Sequence, residues 1–178
     1  MTKTLYLVRH GQPQPNTGIA YDRVPGPPLS AAGRAEARVT GLYLAGERIE
    51  SLTSSPLDRA HQTAQIIAEE TGLPAIVDDA LREMRYDEPY DAVRERMRRV
   101  LADLVARPER ALAFVSHGSP VRAALQLLSD DTIDLSGYQF DGNPLPTAGV
   151  WTARQTATGW DLAFAFQPQR PSGNPEVL

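Results

Sequence analysis

The stretch Leu5–Gly11, LYLVRHG, decides the fold of this chain, because a short apolar run ends there at a polar turn. Residues 5–8 predict a buried strand, and Arg9-His10-Gly11 predicts the turn that follows it. The segment Ala111–Gly118, ALAFVSHG, has the same arrangement, with a strand over residues 111–115 that ends at Ser116-His117-Gly118. Two predicted strands therefore each lead into a histidine that is followed by glycine.

Helical signals separate the predicted strands. Ser30 suits the N-cap of a helix that runs to about Gly46, and Ser55 suits the N-cap of a second helix over residues 56–71, which stops at Gly72. Apolar residues recur at helical spacing over residues 93–105, and a fourth helix runs through Leu128. The remaining predicted strands are residues 52–54 and 75–77 and a hairpin of residues 150–155 and 160–166.

This alternation predicts an α/β fold, a three-layer α/β/α sandwich with a mostly parallel central sheet. We expect a single catalytic domain over residues 1–166 and a flexible tail over residues 167–178, which contain three prolines and no apolar pattern. In sheets of this kind the ligand binds beyond the carboxyl ends of the strands. His10 and His117 both fall at such an end.

The composition is that of an ordinary globular protein. Of 178 residues, 42% are hydrophobic and 22% are charged, which excludes disordered and collagen-like classes. The net charge of −4 gives no reason to expect nucleic acid as a partner, and the absence of cysteine excludes disulfides and thiolate sites. The first residues leave no room for a signal peptide, and no apolar run could span a bilayer. We therefore expect a cytoplasmic protein without a membrane partner.

Three residues suit the binding of an anion. One histidine at a strand end is usually an ordinary turn residue, but two of them, His10 and His117, favour a ligand site, because the glycine after each lets the backbone approach a ligand closely. Arg59 falls in the first turn of the second helix, where the positive end of the helix disfavours a cation unless an anion lies between them. The alternative for Arg59 is a surface side chain that points to water or pairs with Asp58.

Four motifs occur in order along the chain: Arg9-His10-Gly11, Ser54–Ala64, Leu81-Arg82-Glu83 and Val115–Gly118. Together with the stretch Leu29–Gly33, they resemble the histidine phosphatase superfamily, the group that includes the cofactor-dependent phosphoglycerate mutases. The resemblance covers about residues 3–155 and points to the short-cap phosphatases, so it implies a phosphoglycerate mutase-like fold with a small cap.

The resemblance implies catalytic roles for His10, Glu83 and His117. His10 is the nucleophile that accepts the phosphoryl group, and Glu83 donates a proton to the leaving group. The chemistry agrees, since a neutral imidazole can attack phosphorus when an acceptor holds its other nitrogen, and we expect that acceptor to be a backbone carbonyl near Gly11.

The resemblance also implies a phosphate pocket made of Arg9, Arg59, His117 and Asn16. Guanidinium groups match the oxygens of a phosphoryl group better than ammonium groups do. The helix that follows Gly118 adds its N-terminus, which favours an anion.

Departures from the family pattern leave several assignments open. Residues 85–89 differ from the usual stretch after the acid, so Asp87 or Glu88 could take the place of Glu83. Pro13 stands where many relatives have a hydroxyl, which Thr17 could replace. The segment between the acid and the third helix is short, which favours hydrolysis over mutase activity because a mutase must shield the transferred phosphate from water. The same motifs would also suit a protein phosphohistidine phosphatase, or a phosphate-sensing domain without activity.

We expect a metal-independent phosphohydrolase of the histidine phosphatase type with no cofactor. A small phosphorylated metabolite is the expected substrate, and a homodimer is left open. The acidic residues Asp78, Asp79, Asp87 and Glu88 lack the histidine spacing of a metal site. His61 is expected at the surface, and the arginines of the third helix are expected on a solvated face: Arg94, Arg96, Arg98 and Arg99.

Overall fold

The computed structural model describes residues 2–169, which form one six-stranded sheet flanked by helices. The spatial order of the strands is β3-β2-β4-β1-β5-β6. Residues 170–178, most of the predicted tail, lie outside the described residues, so the predicted domain division stays a prediction. The strands are β1 Thr4–Arg9, β2 Ser51–Ser54, β3 Ala75–Val77, β4 Ala111–Ser116, β5 Val150–Gln155 and β6 Trp160–Phe166.

The predicted α/β sandwich with a mostly parallel sheet is confirmed. Strands β3, β2, β4 and β1 are parallel to one another, while β5 runs antiparallel to both β1 and β6. Arg9 pairs with Ser116 and Ser54 pairs with Val115, so the carboxyl ends of β1, β2 and β4 lie at the same edge of the sheet. This edge carries the turns that contain the two histidines.

Apolar side chains alternate between the two faces of the sheet, and a pair of helices covers each face. Leu5, Leu7 and Phe114 pack on one face with helices α3, Tyr90–Ala106, and α4, Gly118–Leu128. Tyr6 and Val8 pack on the opposite face with helices α1, Ala31–Gly46, and α2, Asp58–Thr71. Strands buried on both faces have this near-continuous apolar sequence, which explains the run at the start of the chain.

Most predicted element bounds agree with the structure, but the start of the second helix is wrong. Ser30 caps α1 through a bond from Gly33 N at 3.0 Å, and Gly72 ends α2 with a φ of 72°. Helix α2, however, begins at Asp58 and has Leu57 as its N-cap. Ser55 belongs instead to a turn between β2 and α2, and its hydroxyl faces His117.

The expectation that all four arginines of helix α3 are solvated is also wrong. The side chain of Arg96 is only 13% exposed, and its Nε lies 3.1 Å from Glu88 Oε1. Arg94 pairs with Asp131, whereas Arg98 and Arg99 both pair with Glu95 on the exposed side of the helix. Arg96 is drawn inward because Glu88, just before the start of α3, is itself largely buried.

Within residues 2–169, none of the helices is both long enough and apolar enough to cross a bilayer.

Candidate phosphate-binding active site

Two backbone hydrogen bonds join the turns at the edge of the sheet. His10 N donates to Ser116 O at 2.9 Å, and Ser55 N donates to Val115 O at 2.9 Å. The turns after β1 and β2 are therefore both attached to the end of β4, which leads directly into His117. Three segments that are far apart in the chain are held in one place by the pairing of the strands.

His10 is a buried, neutral imidazole, and one of its two nitrogens forms a hydrogen bond with the backbone. It is 1% exposed, and its Nδ1 lies 2.7 Å from Gly11 O. Because a carbonyl oxygen only accepts, Nδ1 carries the proton and Nε2 keeps its lone pair. Burial, followed by the charges of Arg59 and Arg9, holds the pKa of His10 well below the usual histidine value. The acceptor predicted near Gly11 is thus Gly11 O itself.

His117 stands at the N-terminal end of helix α4 and faces His10. The ring centroids are 5.1 Å apart, and the planes of the rings are tilted by 55°. His117 Nε2 lies 2.7 Å from Ser55 Oγ, whereas no described residue forms a hydrogen bond with Nδ1, which is buried. Burial, with smaller contributions from Arg59 and His10, keeps the pKa of His117 well below its ordinary value.

Arg59 lies in the first turn of α2 and is completely buried, so the alternative of a surface arginine is wrong. Its Nη1 donates to Tyr21 O at 2.9 Å, and its Cζ lies 3.8 Å from the centre of the Tyr21 ring. Nε and Nη2 have no hydrogen-bond partner among residues 2–169. Burial lowers the pKa of Arg59, and the nearby Tyr21 and Glu83 oppose that shift.

Arg9 supplies the second guanidinium from the last position of β1. It is 8% exposed, and its Nη1 donates to Leu145 O at 2.9 Å. Its Nε is buried and lacks a partner within the described part of the chain. Burial lowers the pKa of Arg9, while Tyr21 and then Glu83 raise it. Two buried cations thus adjoin the pair of imidazoles.

Of the three carboxylates predicted as possible proton donors, Glu83 is neither bound by two arginines, as Glu88 is, nor exposed, as Asp87 is. It is half-buried, its Oε1 accepts from Met84 N at 2.8 Å, and its charge acts on both Arg9 and Arg59. Glu88 Oε2 lies 2.7 Å from Arg82 Nη1, and Arg96 contacts the same carboxylate. Burial opposes ionisation of Glu88, but the hydrogen bonds from Arg82 and Arg96 outweigh it and lower its pKa to about 2.

Asp87 faces solvent instead. Its side chain is 74% exposed and lies 3.9 Å from Arg23. An aspartate that far out of the pocket has no structural support as the proton donor.

The structure leaves Asn16 at the surface, whereas both imidazoles are buried. Asn16 is exposed in the loop of residues 12–28, where its φ of 55° is left-handed. Its role in binding phosphate therefore stays a prediction. Gly118 is buried beneath Asn143, and a Cβ atom added to it would lie 1.6 Å from Asn143 Oδ1. A larger residue at this position would have to displace the Asn143 side chain, which packs against the start of α4.

Sequence reasoning missed two residues that support the site, Ser55 and Thr63. Thr63 Oγ1 accepts from Gly11 N at 2.9 Å and donates to Arg59 O at 2.6 Å, so it links the turn that carries His10 to helix α2. The spacing of four between Arg59 and Thr63 places both on one helix face and could have indicated this. Ser55 suits a helix cap by its sequence, and only the fold shows that its hydroxyl reaches His117.

His61, the third histidine, does not belong to the pocket. It is half-buried rather than fully at the surface, and its Nδ1 lies 3.2 Å from Ser54 Oγ. Residues 2–169 contain no group of three or more histidine, cysteine, aspartate or glutamate side chains that could hold a metal ion. Asp78 caps the 3-10 turn Asp79–Leu81 through a bond from Ala80 N.

The fold brings two imidazole and two guanidinium groups together in a buried cluster at one edge of the sheet of an α/β protein. A family model, the histidine phosphatase superfamily (branch 1), matches residues 5–89 and 85–165. The chain belongs to this superfamily.

Similar proteins include phosphatases and a mutase. The uncharacterized phosphatase PhoE of Bacillus subtilis is 30% identical over 146 residues, which cover 69% of this chain and 76% of PhoE. A 2,3-bisphosphoglycerate-dependent phosphoglycerate mutase of Methylobacterium sp. is 41% identical over 91 residues, 48% of this chain and 44% of the mutase. In three of the curated relatives, including this mutase, the match covers only 39% to 44% of the relative's own length.

Solved structures share the fold at low sequence identity. A mycobacterial glucosyl-3-phosphoglycerate phosphatase superposes with a TM-score of 0.74 at 22% identity, covering 92% of this chain and 98% of that protein. At this identity the likeness shows the fold alone.

Proposed function

We propose that this chain is a phosphomonoester hydrolase that forms a phosphohistidine on His10 and passes the phosphoryl group to water. The observation that supports it best is a set of buried nitrogens around His10 that have no hydrogen-bond partner within residues 2–169. They are Arg9 Nε, Arg59 Nε, Arg59 Nη2 and His117 Nδ1.

Unpartnered buried donors are costly, at about 1 to 3 kcal/mol each and more for charged groups. A phosphoryl group offers acceptor oxygens on every side, so one bound phosphomonoester would supply partners to all of these nitrogens. The two guanidinium charges would also neutralise the dianion in a site where water is excluded. The same donors suit the transition state of phosphoryl transfer, in which charge spreads over three equatorial oxygens.

The first chemical step uses His10 and Glu83. The lone pair on His10 Nε2 forms a bond to phosphorus while the ester P–O bond breaks, and the protonated Glu83 carboxyl gives its proton to the leaving oxygen. The proton stays on His10 Nδ1 and keeps its hydrogen bond to Gly11 O, which stabilises the positive charge that develops on the ring. The product is an alcohol and a phosphohistidine.

The second step reverses the role of Glu83. Its carboxylate takes a proton from water as the water oxygen bonds to phosphorus, and the P–N bond breaks with its electron pair returned to His10 Nε2. Inorganic phosphate leaves, and both residues regain their starting protonation states. No other reactant is required.

Hydrolysis is favoured over mutase activity by the size of the cap. Only residues 84–89 separate Glu83 from helix α3, so little chain is present there to enclose a second phosphorylated group. The presence of a half-buried carboxylate near both arginines favours esters over phosphohistidine as the substrate, because a phosphoramidate with a good leaving group does not need a proton donor. We therefore propose a small phosphorylated metabolite as the substrate.

Trapping of the intermediate tests this function. Purified protein should hydrolyse an aryl phosphate in the presence of EDTA, with inhibition by vanadate, and acid-labile phosphoprotein should be recovered by quenching. His10→Ala should abolish both hydrolysis and labelling. His61→Ala is the matched control, because it removes the histidine outside the pocket, and it should retain both.

Hydrolysis that EDTA abolishes, or labelling that survives in His10→Ala, would overturn the proposal. A panel of phosphorylated metabolites then identifies the substrate. Bisphosphate-stimulated isomerisation that is faster than hydrolysis would instead establish a mutase.

A further inference from the structure

Ser55 is a buried hydroxyl whose position is fixed from three directions. Its backbone N donates to Val115 O at 2.9 Å, and its Oγ accepts from Leu57 N at 3.2 Å. The same Oγ lies 2.7 Å from His117 Nε2, and both residues are completely buried. The serine is therefore held beside the ring of His117 by the pairing of β2 with β4.

The protons and lone pairs available to Ser55 Oγ decide which residue is the donor in its hydrogen bond with His117. Leu57 N already occupies one acceptor position of Ser55 Oγ, so the remaining hydroxyl proton needs an acceptor of its own. Within residues 2–169 the hydroxyl makes no hydrogen bond except those with Leu57 N and His117 Nε2. If His117 Nε2 carried a proton, the serine proton would be left buried without a partner, which costs about 1 to 3 kcal/mol. The favoured arrangement has Ser55 donating to an unprotonated Nε2.

We propose that Ser55 is a positioning residue that holds His117 as the tautomer protonated on Nδ1, so that Nδ1–H donates to an oxygen of the transferring phosphoryl group. The phosphoryl ligand in this inference rests on the proposed function, whereas the tautomer of His117 is a property of the free protein. Nδ1 is buried and has no partner in the described part of the chain, which is the state expected of a donor whose acceptor is a ligand.

The opposite tautomer would harm the site twice. It would leave the Ser55 proton unpaired, and it would turn the lone pair of Nδ1 toward the oxygens of an anion. A donor that is fixed before the substrate arrives requires no reorganisation in the transition state, which is the main advantage of preorganised electrostatic stabilisation. The proton on Nδ1 stays on the ring throughout the reaction, so His117 neither gains nor loses a proton.

Nitrogen NMR of the free protein labelled with ¹⁵N-histidine tests the tautomer directly. In the wild type we expect His117 to show a protonated Nδ1 and an unprotonated Nε2 at pH 7, with its signals assigned by their loss in His117→Gln. Ser55→Ala should shift the Nδ1 proton toward Nε2 or give a mixture of the two tautomers. Ser54→Ala is the matched control, because it removes a neighbouring buried hydroxyl that faces His61, and it should leave His117 unchanged.

Kinetics with an aryl phosphate then connect the tautomer to the reaction. We expect Ser55→Ala to lower kcat/KM about tenfold and to weaken inhibition by vanadate by a similar factor, and Ser54→Ala to change both less than about twofold. A proton on Nε2 in the wild type, or an unchanged tautomer in Ser55→Ala, would overturn the inference whether or not the protein is a phosphatase. A wild type with the expected tautomer but no hydrolysis would overturn the proposed function alone.

Discussion

Gly11 and Gly33 approach each other so closely that neither position has room for a side chain. A Cβ atom on Gly11 would lie 2.5 Å from Gly33 O, and a Cβ atom on Gly33 would lie 2.1 Å from Gln12 O. Helix α1 thus packs its backbone directly against the turn that carries His10. The position of His10 therefore depends on a helix that contributes no side chain to the proposed chemistry.

Gly33→Ala is expected to damage both stability and activity through this contact. The methyl group must displace backbone rather than a flexible side chain, so we expect a loss of about 1 to 3 kcal/mol in the free energy of unfolding. Displacement of residues 10–12 should also lower kcat against an aryl phosphate. Gly46→Ala, at the end of the same helix with nothing within 4 Å of the added Cβ, should be close to neutral. Urea unfolding and steady-state kinetics measure both, and equal behaviour of the two variants would contradict the prediction.

Glu83→Gln and Glu88→Gln should affect different properties. Loss of the proton donor in Glu83→Gln should lower hydrolysis of an alkyl phosphate by about 10² to 10⁴-fold, with a smaller effect on a phosphoramidate, while stability is retained. Glu88→Gln removes the partner of Arg82 and Arg96 and should lower the melting temperature with a modest effect on kcat. A large loss of ester hydrolysis confined to Glu88→Gln would assign the donor to that residue instead.

Arg59→Met should stabilise the fold and abolish the function. Arg59 is a buried cation, and two of its nitrogens have no partner among residues 2–169, so an apolar side chain of similar volume should raise the free energy of unfolding by about 1 kcal/mol in phosphate-free buffer. Inorganic phosphate should stabilise the wild type and raise its melting temperature. At a phosphate concentration of about 100 times its Kd, the free energy of unfolding should increase by about 2.7 kcal/mol. Phosphate should leave Arg59→Met unaffected. A variant that is less stable and still responds to phosphate would show that Arg59 has a structural role only.

The free energy of unfolding should fall as the pH drops below about 6.5. Burial and nearby arginines lower the pKa values of His10 and His117 in the folded protein, whereas both regain a pKa of about 6.5 when the chain unfolds. Below that pH the unfolded state binds more protons, so each histidine removes up to about 1.4 kcal/mol per pH unit until its folded pKa is reached. Well above that pH neither histidine contributes a pH dependence.

Urea unfolding at several pH values between about 5 and 8 measures this dependence. The variant His10→Asn should reduce the slope at the acidic end of this range, because one of the two titrating imidazoles is absent. An unchanged slope would mean that His10 binds a proton equally well in both states.

The sequence predicted the parts of this protein that are encoded locally. Strand ends, the cap at Ser30, the stop at Gly72 and the terminal hairpin follow from residues close together in the chain, and the structure confirms them. The burial of Arg59 was harder to predict, since it depends on Tyr21 from a distant loop. The hydroxyl of Ser55 was assigned to a helix cap because its true neighbour, His117, lies 62 residues away. The pairing of Glu88 with Arg96 could not be predicted for a similar reason, because it depends on how the segment before α3 folds back onto that helix.

The amides of His10 and Ser55 each add one hydrogen bond to β4 just past the last paired residues of β1 and β2. The turns that carry both residues are therefore attached directly to the central strands, and we expect them to lose their positions only when those strands separate. Heat should consequently inactivate this protein at the same rate at which it melts, with no inactive but folded species in between. Destabilising changes that do not displace the turns of His10, Ser55 and His117 should reduce the number of active molecules and leave the turnover of each folded molecule nearly unchanged.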